Sequence, residues 1–162
     1  MRKPLFILLF LSTSAISHAQ NLSIFDLTNL AKMNNASAHD FLSTSRLFRQ
    51  FLTEQVNGLT LDHYRYNNKN GTKETIIVGD GDKANSGVFL RTVSYTSADT
   101  KYITSLIVQA GKAGLKKRFA GADATKKIYL LDNSLYSVHF YLNNDNASGT
   151  VVVRQKEYIP RY

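Results

Sequence analysis

The chain has 162 residues, of which 43% are hydrophobic and 20% are charged, and its formal net charge is +8 at pH 7. It contains no cysteine, which excludes a disulfide framework, a thiolate metal site and a cysteine nucleophile. This length and apolar content suit one domain with a single hydrophobic core.

The N-terminal segment is typical of a secretory signal peptide. Residues 1–4 are basic, residues 5–11 form a short apolar run, and small residues up to Ala19 supply a cleavage site. Polar residues end the apolar run well before the about 20 residues that a membrane span needs. We expect residues 1–19 to be removed and residues 20–162 to form a single domain that is periplasmic or secreted.

The mature chain stays basic. Arg2 and Lys3 account for two of the positive charges, which leaves +6. No cysteine follows the apolar run, so we expect no lipid tether and no membrane span after cleavage. In an exported protein this charge favours a protein or an anionic envelope polymer as partner over nucleic acid. The alternative is that the charge only maintains solubility.

Two short helical patterns open the expected domain. Ser23 and Asp26 have the spacing of a capping box, and a helix follows to about Met33. Ser37 and Asp40 repeat the spacing. Four apolar residues could then lie on one side of a second helix: Phe41, Leu42, Phe48 and Leu52. The pair predicts a helical hairpin whose second helix ends between residues 44 and 55.

Gly58 marks a change to β-branched and aromatic residues in short runs. Strands are predicted over residues 59–66, 72–78 and 87–95, with a hairpin loop before the second of them. Residues 79–82, with the sequence Gly-Asp-Gly-Asp, are predicted to turn the chain.

The clearest helix covers residues 99–112, with an apolar stripe and with Ser97 or Asp99 as its N-cap. Three more strands are predicted over residues 126–131, 135–142 and 150–158. The order of elements predicts an α+β fold, in which a helical hairpin and one longer helix pack on a mainly antiparallel sheet of six to seven strands.

Catalytic and metal-binding patterns are missing from the sequence. His39, His63 and His139 are not at metal-ligand spacing, and no serine elbow is present. Acidic residues lie mainly at predicted helix caps and turns, where backbone hydrogen bonds explain them. We therefore expect no catalytic residue, no metal site and no cofactor.

A basic cluster is the strongest candidate for binding an anion or a partner. Its six members follow the longest helix and enter the next strands: Lys112, Lys116, Lys117, Arg118, Lys126 and Lys127. The same cations could instead complement the helix dipole or protect a strand edge. Tyrosines of the strands could form a second binding surface, or simply one side of a solvated sheet.

Two passages carry a resemblance. Residues 23–27 through 40–42, and residues 95–97 through Tyr102 and Leu106, resemble small exported bacterial proteins of unassigned function. The helix pair followed by an antiparallel sheet is also similar in outline to β-lactamase-inhibitor-type modules. That resemblance implies protein binding through the sheet face, but no inhibitory residue of that family has a matching motif here.

These observations favour a non-enzymatic binding module that acts on a protein or on an anionic envelope partner. The alternatives are a small envelope hydrolase with a site built from scattered polar residues, and a structural envelope component. A pocket lined by histidine and carboxylates would favour the hydrolase. The oligomeric state is left open.

Overall fold

A computed structural model describes residues 22–46, 48–67 and 73–157. The predicted signal peptide lies outside the described residues. The helices are α1 (Ile24–Leu30), α2 (Asn35–Asp40), which continues into a π-helical turn over Phe41–Ser45, and α3 (Thr100–Lys112). The strands are β1 (Arg49–Val56), β2 (Leu59–Asn67), β3 (Lys73–Lys83), β4 (Phe89–Ser97), β5 (Lys116–Ala122), β6 (Lys126–Asp132), β7 (Tyr136–Asn143) and β8 (Gly149–Gln155).

The strands form one antiparallel sheet in the order β1-β2-β3-β4-β8-β7-β6-β5. β1–β4 and β5–β8 are two consecutive meanders, which join where β4 pairs with β8. α3 connects the meanders and packs on the central strands. The sheet therefore consists of two four-stranded halves, each preceded by helix.

The prediction of an α+β fold with six to seven strands is wrong. The described chain is mostly sheet, with eight strands and three short helices. The sequences of β1 and β5 lack alternation and therefore do not predict strands. The spacing of apolar residues in β1 predicts the end of the second helix, and β5 resembles a basic connection. Both are edge strands, and most of their residues are exposed.

Helix caps account for the helix boundaries. Ser23 and Asp26 form the predicted capping box at α1, and the Asp99 side chain accepts a hydrogen bond from Tyr102 N at the start of α3. The cap of α2 differs from the prediction. Asn34 rather than Ser37 is the N-cap, since its side chain accepts a hydrogen bond from the Ser37 backbone.

All three helices pack on one face of the sheet. Buried side chains of the helices and of the π-helical turn, which include Leu27, Leu42 and Leu106, join alternate residues of the central strands in a single core. The largest fully buried strand residues are Tyr64, Tyr95, Phe140 and Ile76. Burying a leucine or isoleucine stabilises the fold by roughly 1.5–3 kcal/mol, so the helix-covered face holds most of the hydrophobic stabilisation.

One carboxyl group lies inside this core. Glu74 is 2% exposed, and Tyr95 donates a hydrogen bond to it over 2.8 Å. Burial raises the pKa of Glu74, although the tyrosine hydrogen bond opposes part of the shift. Burial, the Glu74 charge and the same hydrogen bond raise the pKa of Tyr95 well above its usual value. Ionised Glu74 therefore opposes folding.

We predict that Glu74→Gln removes a pH dependence of stability. Because the pKa of Glu74 is raised in the folded state, the folded protein loses stability as pH rises from the usual glutamate pKa through the raised one. Glutamine can still accept the Tyr95 hydrogen bond and does not ionise. The difference in unfolding free energy between variant and wild type, measured by urea denaturation, should grow in favour of the variant as the pH rises above about 4.

Glu157→Gln, which removes a carboxyl group outside the core, is the control and should show no such trend. A constant difference between Glu74→Gln and wild type over the whole pH range would contradict the assignment of Glu74.

Within residues 22–46, 48–67 and 73–157, no helix is both long enough and apolar enough to span a membrane.

Candidate functional site

The face of the sheet that the helices leave uncovered, here called the open face, has a continuous row of hydroxyl groups. Because side chains alternate along a strand, each strand gives every second residue to this face. Cross-strand pairing aligns Thr75 of β3, Thr96 of β4, Thr150 of β8 and Tyr141 of β7. We call these four residues the hydroxyl row. All of them are half-buried, and the Thr96 and Thr150 hydroxyl oxygens lie 3.0 Å apart.

Basic residues stand at both ends of the hydroxyl row. Arg65 of β2 pairs with Thr75, and Arg49 of β1 pairs with Arg65. At the other end, the Lys126 ammonium lies 5.1 Å from the centre of the Tyr141 ring. From β1 to β6 this surface crosses six strand spacings, or about 29 Å. No residue aligned with the row in the described strands is acidic.

Two carboxylates of the open face, Asp132 and Glu54, lie near the ends of their strands that are opposite to the hydroxyl row. Asp132 accepts hydrogen bonds from Arg118 at 2.6 Å and from Lys156 at 3.1 Å, and these bonds lower the pKa of Asp132. Glu54 lies 2.8 Å from His63 Nε2. Asp132 thus forms ion pairs with two cations, whereas Arg49 and Arg65 form none within 4.0 Å among the described residues. Lys126 lies next to the Asp123 carboxylate, which accepts a hydrogen bond from the Lys126 backbone N–H over 2.8 Å.

The sheet separates the six members of the predicted basic cluster. Lys116 pairs with Asp132, whereas Lys126 begins β6 six residues earlier, about 20 Å along the strand. Lys127 and Lys117 alternate with open-face residues and belong to the helix-covered side, and Lys112 is the last residue of α3. Lys116 and Arg118 reach the open face at the Asp132 end. Only Lys126 adjoins the hydroxyl row.

Arginines 49 and 65 were missed as candidates because they are isolated in the sequence. For Arg65 the signal is the alternation of side chains along the strand. Arg65 stands between Tyr64, which is fully buried, and Tyr66, which packs against the core. A charged residue at such a position must point to the other face.

Most of the described tyrosines do not form the exposed binding surface that the sequence suggested for the strands. Tyr64 and Tyr95 are fully buried, and Tyr102 packs on the core with its hydroxyl donating to Leu22 O over 2.8 Å. Burial and the nearby Asp62 charge raise the pKa of Tyr64 to about 12. Tyr141 is the tyrosine of the hydroxyl row.

His139 lies beside the hydroxyl row, and its ring contacts two hydroxyl groups. Its ring nitrogens are 3.0 Å from the Ser137 hydroxyl and 3.2 Å from the Tyr141 hydroxyl. Burial and the charge of Arg154 lower its pKa, which keeps the ring neutral at pH 7. The described residues place no carboxylate against this ring, so the arrangement lacks the third member of a serine hydrolase triad.

A groove of about 440 Å³ opens on the helix-covered side, beyond the start of α2. β2 and β3 pair only as far as Asp62 and Val78. A bulge then turns β3 toward β4, and Gly79 adopts φ +96° within it. The groove lies between the start of β2 and the start of β4, where β3 no longer pairs with β2. Its lining residues are Asn35, Gly58, Leu59, Thr60, Asp62, Gly79, Phe89 and Arg91.

The prediction that residues 79–82 turn the chain is therefore wrong. They belong to β3, and the chain turns after Lys83, where Gly87 N donates to Ala84 O over 2.9 Å. The glycines that suggested a turn instead serve the bulge and the groove. A Cβ at Gly79 would collide with the carbonyl oxygen of Thr60, and one at Gly81 would lie 2.8 Å from the Phe89 ring.

The groove does not have the features of a hydrolase site. Asp62 is the one carboxylate among its described lining residues, and no histidine lines it. Glycoside hydrolysis needs two carboxyl groups about the scissile bond. In the part of the chain that the structure describes, no three His, Asp or Glu side chains converge in a group that could hold a metal ion.

Comparisons of the chain with known protein families, with curated proteins and with solved structures find no match.

We predict that Gly79→Ala destabilises the protein more than Gly114→Ala. Both glycines have positive φ, but nothing lies within 4 Å of a Cβ at Gly114. Gly114→Ala therefore measures the backbone cost alone, about 1 kcal/mol. Gly79→Ala adds a collision with backbone, and its loss of unfolding free energy in urea should be larger by at least about 1 kcal/mol. Equal losses would contradict the close approach of β2 and β3 at the groove.

Proposed function

We propose that this chain is a non-enzymatic binding protein whose hydroxyl row and flanking cations hold an extended anionic partner. The observation that carries the proposal is the composition of this surface: Arg49, Arg65 and Lys126 flank four hydroxyl groups, and no aligned residue is acidic.

The chemistry of the surface suits carboxylate, sulfate or phosphate groups spaced along a chain. Threonine and tyrosine hydroxyls can donate hydrogen bonds to anionic oxygens, and arginine can bind them in a bidentate way. Arg65 is held in place because its guanidinium stacks 4.3 Å from the centre of the Phe51 ring. Half-buried hydroxyl groups also lose little side-chain entropy on binding.

The shape of the surface favours a linear partner over a small one. The surface from Arg49 on β1 to Lys126 on β6 extends about 29 Å across the strands, which matches an extended polymer or an acidic protein segment. An anionic envelope polymer and an acidic protein share this chemistry. Binding of either kind should weaken as salt screens the charges.

We predict that the triple variant Arg49→Glu, Arg65→Glu and Lys126→Glu loses binding to a polyanion. The probe is fluorescein-labelled poly-L-glutamate, and its anisotropy is followed at about 50 mM and about 200 mM NaCl. Wild type should bind more weakly at the higher salt. The variant should bind about 10- to 100-fold more weakly than wild type at the lower salt.

The matched control is the triple variant Lys112→Glu, Lys117→Glu and Lys127→Glu. It changes the net charge by the same amount but acts on the helix-covered side, so it should keep most of the affinity. Loss of binding in this control and not in the open-face variant would assign the site to the basic cluster that the sequence suggested. Absence of binding by wild type at the lower salt would contradict the proposal.

We further propose that the protein is exported and that cleavage follows Ala19. This rests on the basic, apolar and small-residue segments of residues 1–19. Mass spectrometry of the protein expressed from its full-length sequence should find Gln20 as the first residue of the exported product. An exported protein that retains Met1 would contradict this proposal.

A further inference from the structure

The two sides of the groove carry opposite charges, and neither charge has an ionic partner among the described residues. Asp62 of β2 is on one side and Arg91 of β4 is on the other. Within the described residues, no basic nitrogen lies within 4.0 Å of the Asp62 carboxylate, and no carboxylate oxygen lies within 4.0 Å of the Arg91 guanidinium.

Neutral hydrogen bonds fix the Asp62 carboxylate. Gln50 and Thr53 donate to its Oδ1 at 2.9 and 2.7 Å, and Asn35 donates to its Oδ2 at 2.8 Å. Asn35 also donates to Thr60 O at 2.9 Å. Asp62 is 8% exposed, and it lines the groove. These donors hold a nearly buried negative charge in one orientation, and Oδ2 has capacity for one more donor.

The Arg91 guanidinium is also held in place. It stacks over the Phe89 ring, 5.3 Å from the ring centre. Phe89 in turn lies against the bare backbone of Gly81. The aromatic ring and Leu59 give the groove apolar contacts between its charged groups.

We propose that the groove binds a small zwitterion of the α-amino-acid type. Its ammonium group would donate to Asp62, its carboxylate would accept from Arg91, and an apolar side chain would pack on Phe89. Asp62 and Arg91 lie on strands two spacings apart, or about 10 Å between backbones. The Arg91 side chain is long enough to reach into the groove. One amino acid or a short peptide could then bridge the remaining distance to the Asp62 carboxylate.

Ligands of a single charge fit less well. A simple anion would be attracted by Arg91 but repelled by the fixed Asp62 charge. A simple cation would be attracted by Asp62 but repelled by Arg91. The volume of about 440 Å³ lies within the range of small-molecule sites and well above that of one ion. This site is separate from the hydroxyl row, and its failure would leave the proposed function untouched.

The first test uses wild-type protein and isothermal titration calorimetry with four compounds. L-leucine and leucyl-leucine keep both charges, N-acetyl-leucine lacks the ammonium group, and leucinamide lacks the carboxylate. We expect one or both zwitterions to bind, and each singly charged analogue to bind at least about tenfold more weakly than the tighter zwitterion. The tighter zwitterion tells whether the occupant is a free amino acid or a short peptide.

The second test assigns the contacts. Arg91→Gln should weaken the zwitterion at least about tenfold and should not weaken leucinamide, because the amide has no carboxylate to lose and its ammonium group is no longer repelled by Arg91. Lys101→Gln, which removes a positive charge from the exposed side of α3, is the control and should bind as wild type does. Asp62→Asn should weaken the zwitterion but should not weaken N-acetyl-leucine, because the charge that repels this anion is removed. Circular dichroism checks that this variant is folded.

Two results would overturn the proposal. The first is that neither zwitterion binds to wild type, whether or not maltose, a neutral sugar that could also stack on Phe89, binds to the groove. The second is that a singly charged analogue binds as tightly as the tighter zwitterion.

Discussion

The pairing of β4 with β8 is the contact on which the rest of this structure depends. It joins the two meanders, which α3 links along the chain, and it places Val93, Tyr95, Val151 and Val153 at the centre of one continuous sheet. The three helices cover the central strands on one side of this sheet. The other side must therefore be built to meet water or a partner, and its mixture of hydroxyl groups, half-buried aliphatic residues and cations suits that situation.

Local features of the structure could be predicted from the sequence, because local interactions determine them. The cap at Asp99 and the apolar stripe behind it define α3, and Ser23 with Asp26 defines the start of α1. Strands with one buried face, such as β7, alternate clearly and were placed within a few residues. In each case the signal lies inside a window of a few turns or one strand.

The edge strands could not be predicted in this way. β1 pairs with one neighbour only, and Phe51 and Leu52 are 47% and 45% exposed, so neither of its faces has an apolar pattern. The spacing of Phe48 and Leu52 matches a helix by coincidence. Register is also invisible in one sequence, and it is register that separates Lys116 from Lys126 and aligns Arg65 with Thr75. The binding surface therefore emerges from long-range pairing rather than from any contiguous motif.

The two outer strands of the sheet share an irregularity with a consequence for self-association. Pairing shifts at Phe51 in β1 and at Arg118 in β5, so each free edge has a break in its ladder of hydrogen-bonding groups. A second copy that approached edge to edge would find only short matching segments, and at β5 it would also meet the charges of Lys116 and Lys117. The same bulges that make these strands hard to recognise thus oppose the growth of the sheet into a fibre.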